Sequence, residues 1–584
     1  MLEEQKENMK EPFSNEIIEI PKLEEEKKGV KDNKKVFLIS LPIIFILFVL
    51  ISIAITLSST SSDEVTGKFT AIYIVNNGQE NIRLFNKIFS SYFSSIKING
   101  NSVNVSDFHY FEKSGKYEVE FQVIKTLETL DEMFADCANL LEVNFSSISG
   151  LNPISMERTF SGCKSLVLIN LGNMDTTKAG SMSGLFKGCT SLTSIDLSKI
   201  NITNTKDISE MFSGCVSLTS IDTSKFNTSK VEKMSGLFEG TMLTSIDLNH
   251  FNTTNVKDMS NLFHKCTNLK TLSINQFITF KVTNISRMFS ECKSLSTVDI
   301  NNFDTSNVED MSGLFENCQS LKEINFIMFF RTSKVTDMSY MFYFCSSLNS
   351  LNLEYFDTSK VTNMAFMFSG CTSLTNLNIK SFDTSNVESM AHTFSLCEKM
   401  KSIDVRNFIT PKVKNFFGTF SQCTSLTSIN LDNFDSSNAK DISAMFYKCE
   451  SLTSVDLSKF KTSNVVSMNA LFEGCSSLKS IDLTHFDTSN VIDLSDMFSG
   501  CSTLTSINLY NFKTEMVKKM DHIFKGCSLL YYIDISGFSL KNIDIVYSPF
   551  YGVANEGTIL LDLNSFRKYL PETITQNWTI IDCY

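Results

Sequence analysis

With 584 residues and a formal net charge of −12, the chain lacks the clustered excess of Lys and Arg that contact with nucleic acid rewards. Its 42% hydrophobic content is ample for a core, while 50 Phe against 1 Trp and 7 Pro points to one residue type reused at one structural position. Internal repeats therefore take precedence over the ordinary relation between length and domain number.

Residues 1–35 are rich in Glu and Lys and poor in large apolar side chains, a composition that cannot offset ordering entropy, and they read as a disordered cytoplasmic tail. Val36 to Leu57 follows as 22 uncharged residues, VFLISLPIIFILFVLISIAITL, long enough to cross a bilayer as a single transmembrane helix. The long lead and the length of the apolar run favour a signal anchor over a cleaved signal peptide. Lys27, Lys28, Lys31, Lys34 and Lys35 crowd its N-terminal flank, whereas SSTSSDE on the other side carries no positive charge. The positive-inside rule then gives a single-pass type II plasma-membrane protein with residues 58 onward outside the cell. After a linker at 58–68, the stretches FTAIYIV, SIKINGNSV and GKYEVEFQV predict a small β-rich N-terminal cap over 69–130.

From Cys137 to Cys527 cysteine recurs every 26 residues, with two exceptions. Cys215 to Cys266 spans 51, with Thr241 at the missing site and one residue lost after it, and Cys318 to Cys345 spans 27. Sixteen units run from about 131 to 540. In the unit that starts at Phe303, FDTSNVEDMSGLFENCQSLKEINF, the residues Val308, Met311, Leu314, Phe315 and Cys318 follow three-and-four spacing and predict a short helix. Ser306 with Glu309, and Ser385 with Glu388, match a capping box at its start. The Leu-x-x-Ile-x-Leu pattern after the cysteine, as at Leu192, Ile195 and Leu197, predicts a short strand. The expected fold is an α/β repeat solenoid, leucine-rich-repeat-like, with one short helix and one short strand per unit. A phenylalanine three residues before each cysteine site, from Phe134 to Phe524, should form its spine, and a second column of thirteen follows the strand from Phe226 to Phe538. GTILLDL and NWTIIDCY, with the lone Trp578, predict a closing strand pair in a C-terminal cap over 541–584. The fifteen ladder cysteines cannot all pair among themselves and are expected to be free buried thiols, although stacking brings neighbours within disulfide range.

FDTSNVEDMSGLF, the F-x-x-C element, SLTSIDLSKF and the 26-residue period resemble the BspA-type leucine-rich-repeat surface proteins. The resemblance implies extracellular display, attachment to a host, matrix or neighbouring cell, and no enzymatic activity. The sequence agrees with the last point. Its six histidines are spread along the chain, with His250 and His485 at one repeat phase but nine units apart, and no HExxH, GxSxG, P-loop or paired CxxC motif stands in a supporting context. No cofactor and no metal site is expected.

At the strand centre stand Asp196, Asp222, Asp247, Asp299, Asp404, Asp456, Asp482 and Asp534, with Asn at most other units. Flanked by buried neighbours, they should face outward and form the binding face, where substitution would scarcely affect folding. The bland alternative is a solvated ladder in which Asn relieves repulsion between carboxylates. Asn104, Asn201, Asn227, Asn252, Asn284 and Asn577 are candidate glycosylation sites, and Asn144 carries a sequon on the strand, where it should be less accessible. The expected partner is an extracellular protein or glycan, with membrane contact through Val36–Leu57 and no nucleic acid. The rival readings are a surface-coat component that self-associates and a receptor that signals through the tail.

Overall fold

The computed structural model describes residues 67–583 apart from 327, 328 and 544. The tail, the apolar run at 36–57 and nearly all of the linker lie outside the described residues. Among the described residues no helix is long and apolar enough to cross a membrane, so the transmembrane helix of the expected architecture finds no support in the structure.

The N-terminal cap comprises β1 (Gly67–Val75), β2 (Glu80–Arg83), β3 (Phe93–Ile98), β4 (Asn101–Val103), β5 (Phe108–Phe111) and β6 (Gly115–Val123). With β7 (Leu140–Asn144) and β8 (Leu168–Asn170), the strands of the first two repeat units, they form a sheet in the order β4-β3-β6-β1-β7-β8, and β2 pairs separately with β5. Alternation along β1 buries Phe69, Ala71, Tyr73 and Val75 on one side. The Phe69 ring stacks on Phe121 at 4.8 Å and meets Phe134 edge-on at 6.1 Å, which joins the cap core to the repeat spine. Antiparallel pairing of β1 with β7 covers the first solenoid edge, and from β7 to β8 pairing turns parallel.

The repeat is a β-solenoid, and the helix expected in each unit is absent. Among the described residues α-helix occurs only at Leu563–Phe566 and Glu572–Asn577, in the C-terminal cap. In the unit read above as helical, Gly313 and Asn317 have φ of 61° and 57°. A left-handed residue every fourth position cannot continue a right-handed helix. Instead, Leu314 N–H donates to the Met311 carbonyl and Cys318 N–H to the Phe315 carbonyl, closing two linked turns that need positive φ at their third residue. The intervening amides leave the turn: Met311, Gly313, Phe315 and Asn317 donate to Asp337, Ser339, Met341 and Tyr343 of the next unit. The first and last residues of each turn point inward, so Met311, Leu314, Phe315 and Cys318 are all at most 1% exposed. Linked turns thus reproduce the spacing of a helical face. The capping boxes are also replaced, since the amides of Ser306 and Ser385 bind Asp304 and Asp383 at 3.0 and 2.9 Å.

Stacking makes the columns continuous. Rings from Phe134 to Phe524 lie 5.4–6.0 Å apart, and Phe550 adds one more at 6.0 Å, so the spine runs past the sixteenth unit. Parallel strand pairs β9 (Ser245–Asp247) with β10 (Thr271–Ser273), and β11 (Ser350–Asn352) with β12 (Asn376–Asn378), mark the strand side. At the far end β13 (Ser506–Asn508), β14 (Tyr532–Asp534), β15 (Gly557–Leu561) and β16 (Trp578–Asp582) form one parallel sheet, with Trp578 Nε1 donating to the Ala554 carbonyl at 3.1 Å.

Two polar columns lie inside. Thr384 Oγ1 donates to the Ile409 carbonyl at 2.8 Å and accepts the Ile409 amide at 2.9 Å, and Thr358 and Thr462 bridge to the next unit in the same way. Each ladder cysteine from Cys163 to Cys527 is buried, and its Sγ donates to the spine-phenylalanine carbonyl of the previous unit at 3.0–3.3 Å. The hydrogen bond requires the protonated thiol, and burial pushes Cys215, Cys371, Cys423 and Cys527 from the ordinary value near 9.0 up to about 12. Because the folded values are raised, the stability tied to these thiols is complete below pH 9 and is lost as pH rises through the window from about 9 to 12. The melting temperature should therefore drop across that window, while iodoacetamide at lower pH labels the partly exposed Cys583 and spares the ladder until the chain unfolds. Ready labelling of ladder thiols in the native protein would contradict this.

Candidate functional site

The strand side is built by Asx turns, in which a carboxylate or amide oxygen accepts the backbone N–H two residues on. All eight carboxylates singled out from the sequence do this, at 2.8–3.4 Å: Asp196, Asp222, Asp247, Asp299, Asp404, Asp456, Asp482 and Asp534 bind the amides of Ser198, Ser224, Asn249, Asn301, Arg406, Ser458, Thr484 and Ser536. Asn352, Asn378 and Asn508 take the same role, which explains why Asp and Asn fill this position in every unit but that of Ser273. Six of the eight are exposed, Asp404 is half-buried and Asp534 is buried. The expectation that the whole row faces outward thus fails at Asp534. The hydrogen bonds hold the carboxyls of Asp196, Asp222, Asp456 and Asp482 below the ordinary range, and Arg406 brings Asp404 to about 2.

Two further Asx turns follow in many units. Asp247, Asn252 and Asp258 accept from Asn249, Thr254 and Ser260 at 3.0, 3.1 and 2.9 Å, so one unit turns three times within a dozen or so residues. The second of these turns holds three glycosylation candidates. Asn201, Asn227 and Asn252 are exposed and accept the amides of Thr203, Ser229 and Thr254, the third residues of their own sequons. Asn284 is half-buried in the ladder of parallel bridges, while Asn104 and Asn577 are exposed. Asn144, expected to be less accessible, is exposed as well.

On the strand side a depression of about 560 Å³ crosses three units and is lined by Ser350, Asn352, Asn376, Asn378, Ser402 and Asp404 among others. Asn378 Nδ2 donates to Asn352 Oδ1 at 2.8 Å, which sets the two amides in series along the solenoid. A larger depression, about 860 Å³, lies between Phe538–Ile543 and Asp562–Tyr569, where the last unit meets its cap. No cluster of three or more His, Cys, Asp or Glu able to hold a metal ion is present among the described residues. His250 and His485 each bind a backbone carbonyl of the preceding unit at 2.8 Å.

One feature of the surface escaped the reading of the sequence. Tyr340, Phe366 and His392 occupy left-handed positions, with φ of 58°, 60° and 54°, that glycine takes in other units. Their rings stack at 4.8 and 4.7 Å along the solenoid, and burial pushes the His392 imidazole down to about 4. The available signal was an aromatic residue replacing Gly at one repeat phase.

Stacked units of this kind define a leucine-rich-repeat-type solenoid scaffold. The family described as "Mycoplasma protein of unknown function, DUF285" matches in six overlapping segments that run from 128 to 559, and the "BspA type Leucine rich repeat region" matches 68–180, across the cap and first units. The chain belongs to this family of BspA-like repeat proteins. No curated protein matches it. Among solved structures, one described as "TLR13-ssRNA13 complex" aligns at 15% identity over 73% of this chain and 75% of that one, with a TM-score of 0.17, too low to carry any conclusion here.

Because the strand-end carboxylates cap backbone amides, their substitution should affect folding, where the sequence alone predicts little effect. Asp456→Asn with Asp482→Asn should keep the acceptors and leave stability within about 0.5 kcal/mol of wild type. Alanine at both should cost roughly 0.5–1 kcal/mol per site, as for a lost helix cap. Equal denaturation midpoints for the two double variants would refute the capping role.

Proposed function

We propose that the protein is a cell-surface recognition module that holds an external protein or glycan against the strand side of its solenoid. The observation that carries this reading is the polar depression over Ser350–Asp404, where outward amides and hydroxyls from three units converge. Contacts repeated along an extended face sum to useful affinity even when each is weak. The family membership agrees with a surface location. Membrane attachment through the run at 36–57, with the lysine-rich tail inside the cell, belongs to the same proposal and stands on the sequence alone. We read the protein as non-enzymatic, a scaffold without cofactor or metal.

Ser350, Asn376 and Ser402 line the depression, are exposed and take no part in the Asx turns, so they are the positions at which to test it. Cells that display the full chain should bind a component of a matrix-protein and glycan panel. Replacing Ser350, Asn376 and Ser402 together with Lys should abolish most of that binding while leaving surface expression and melting temperature near wild type. Protease added to those intact cells should remove the repeat and spare residues 1–35. Undiminished binding by the triple variant, or a tail cleaved on intact cells, would defeat the corresponding half of the proposal.

A further inference from the structure

A second depression, about 270 Å³, lies on a different stretch of the units, between the second and third Asx turns. Its lining is Lys206, Lys230, Glu232, Asn255, Lys257 and Lys281. Four lysines against one glutamate give it a formal charge of +3 on a chain whose total is −12. Such a concentration of one sign, against the sign of the whole, attracts counter-charged polymers.

The lysines are held in two rows by neighbouring units. Lys230 Nζ donates to Asn204 Oδ1 at 2.6 Å and Lys281 Nζ to Asn255 Oδ1 at 2.8 Å. Lys206 and Lys257 straddle Glu232 at 3.2 and 2.8 Å, and the two ammonium groups hold the Glu232 carboxyl below its ordinary range, Lys257 with the larger effect. An ammonium carries three donors, so Lys230 and Lys281 each keep two N–H groups beyond the tether to asparagine. Within each row successive lysines are two units apart, which at the spacing of parallel strands is roughly 10 Å. Tethering also lowers the rotamer entropy that a long side chain gives up on binding.

We propose that this lysine-lined depression binds a linear sulfated polysaccharide, laid along the solenoid axis with its anionic groups in register with alternate units. Charge complementarity and the axial repeat select a polymer over an isolated anion. Single-stranded nucleic acid is disfavoured, because it is gripped through successive stacked bases and the patch offers one flanking aromatic ring, Phe280, 41% exposed with Lys281 Nζ at 5.7 Å from its centroid. That single ring suits the apolar face of one sugar. The site is distinct from the strand-side depression and does not rest on its function.

The test is binding of the full-length protein, in detergent, to immobilised heparin across a salt series. Wild type should bind with an affinity that falls as salt rises. Lys206→Gln, Lys230→Gln, Lys257→Gln and Lys281→Gln combined should weaken binding about tenfold or more and flatten the salt dependence. Arginine at the same four positions should retain binding. Glutamine at the exposed Lys459, Lys479, Lys518 and Lys525 should leave it unchanged, which separates this patch from general charge. Desulfated heparin, single-stranded RNA and phosphatidylserine vesicles should each compete poorly. Equal losses in the two glutamine variants, no loss in the first, or stronger competition by RNA or vesicles than by heparin would each overturn the proposal.

Discussion

The structure depends on a pair of left-handed residues placed four apart before each cysteine site. Gly184 with Gly188 and Gly313 with Asn317 are examples, and the same pair recurs from Glu132 with Asp136 to Ser548 with Gly552. Positive φ at these two points closes two linked turns and directs alternate amides out of the unit into the next. A residue other than glycine pays on the order of 1–2 kcal/mol for that conformation. The cost is offset because every unit then repeats with the same register, so that the Phe spine becomes continuous and the Cys and Thr columns run unit to unit with few interruptions, such as Thr241 and Ile202. Neither the ring spine nor the threonine bridges exist within one unit; each needs its neighbour, which is why the units fold as an array.

Register also explains the division of labour among polar residues. Asp and Asn at three phases of the unit are first of all caps for backbone amides, so their abundance reflects construction before recognition. Where such a residue has further capacity, as Asn378 has toward Asn352 and Asn204 toward Lys230, it sets a polar group at a fixed place on the surface. Residues free of these duties, Ser350, Asn376 and Ser402 on one side and the paired lysine rows on another, are where binding chemistry can vary without unsettling the fold.

Much of this was legible in the sequence. The period, the spine from Phe134, the second aromatic column and the β-rich cap followed from repetition and alternation, because those patterns are enforced by burial. The helix did not follow. Val308, Met311, Leu314, Phe315 and Cys318 satisfy three-and-four spacing equally well on linked turns, and burial alone cannot distinguish the two. The deciding signal was present in the glycines, since Gly184 with Gly188 and Gly236 with Gly240 would each weaken a helix interior twice within one turn. The capping duty of the strand-row Asp residues was hidden for a related reason. Outward direction was inferred from alternation, but the local Asx hydrogen bond that uses each carboxylate leaves no periodic trace. The threonine column was hidden similarly, because a buried hydroxyl satisfied on both sides looks in sequence like part of a polar turn.

If the segment before each cysteine is a pair of left-handed turns, the stability of Gly188→Ala must show it. Gly188 has φ of 71°, and an added Cβ there would meet nothing nearer than 3.7 Å, so the substitution probes the backbone conformation with little steric contribution. In linked turns alanine should lower stability by about 1 kcal/mol or more. In a helix the same change should raise it by about 1 kcal/mol. A loss measured by denaturant unfolding is the result expected here, and a gain would contradict the solenoid as described.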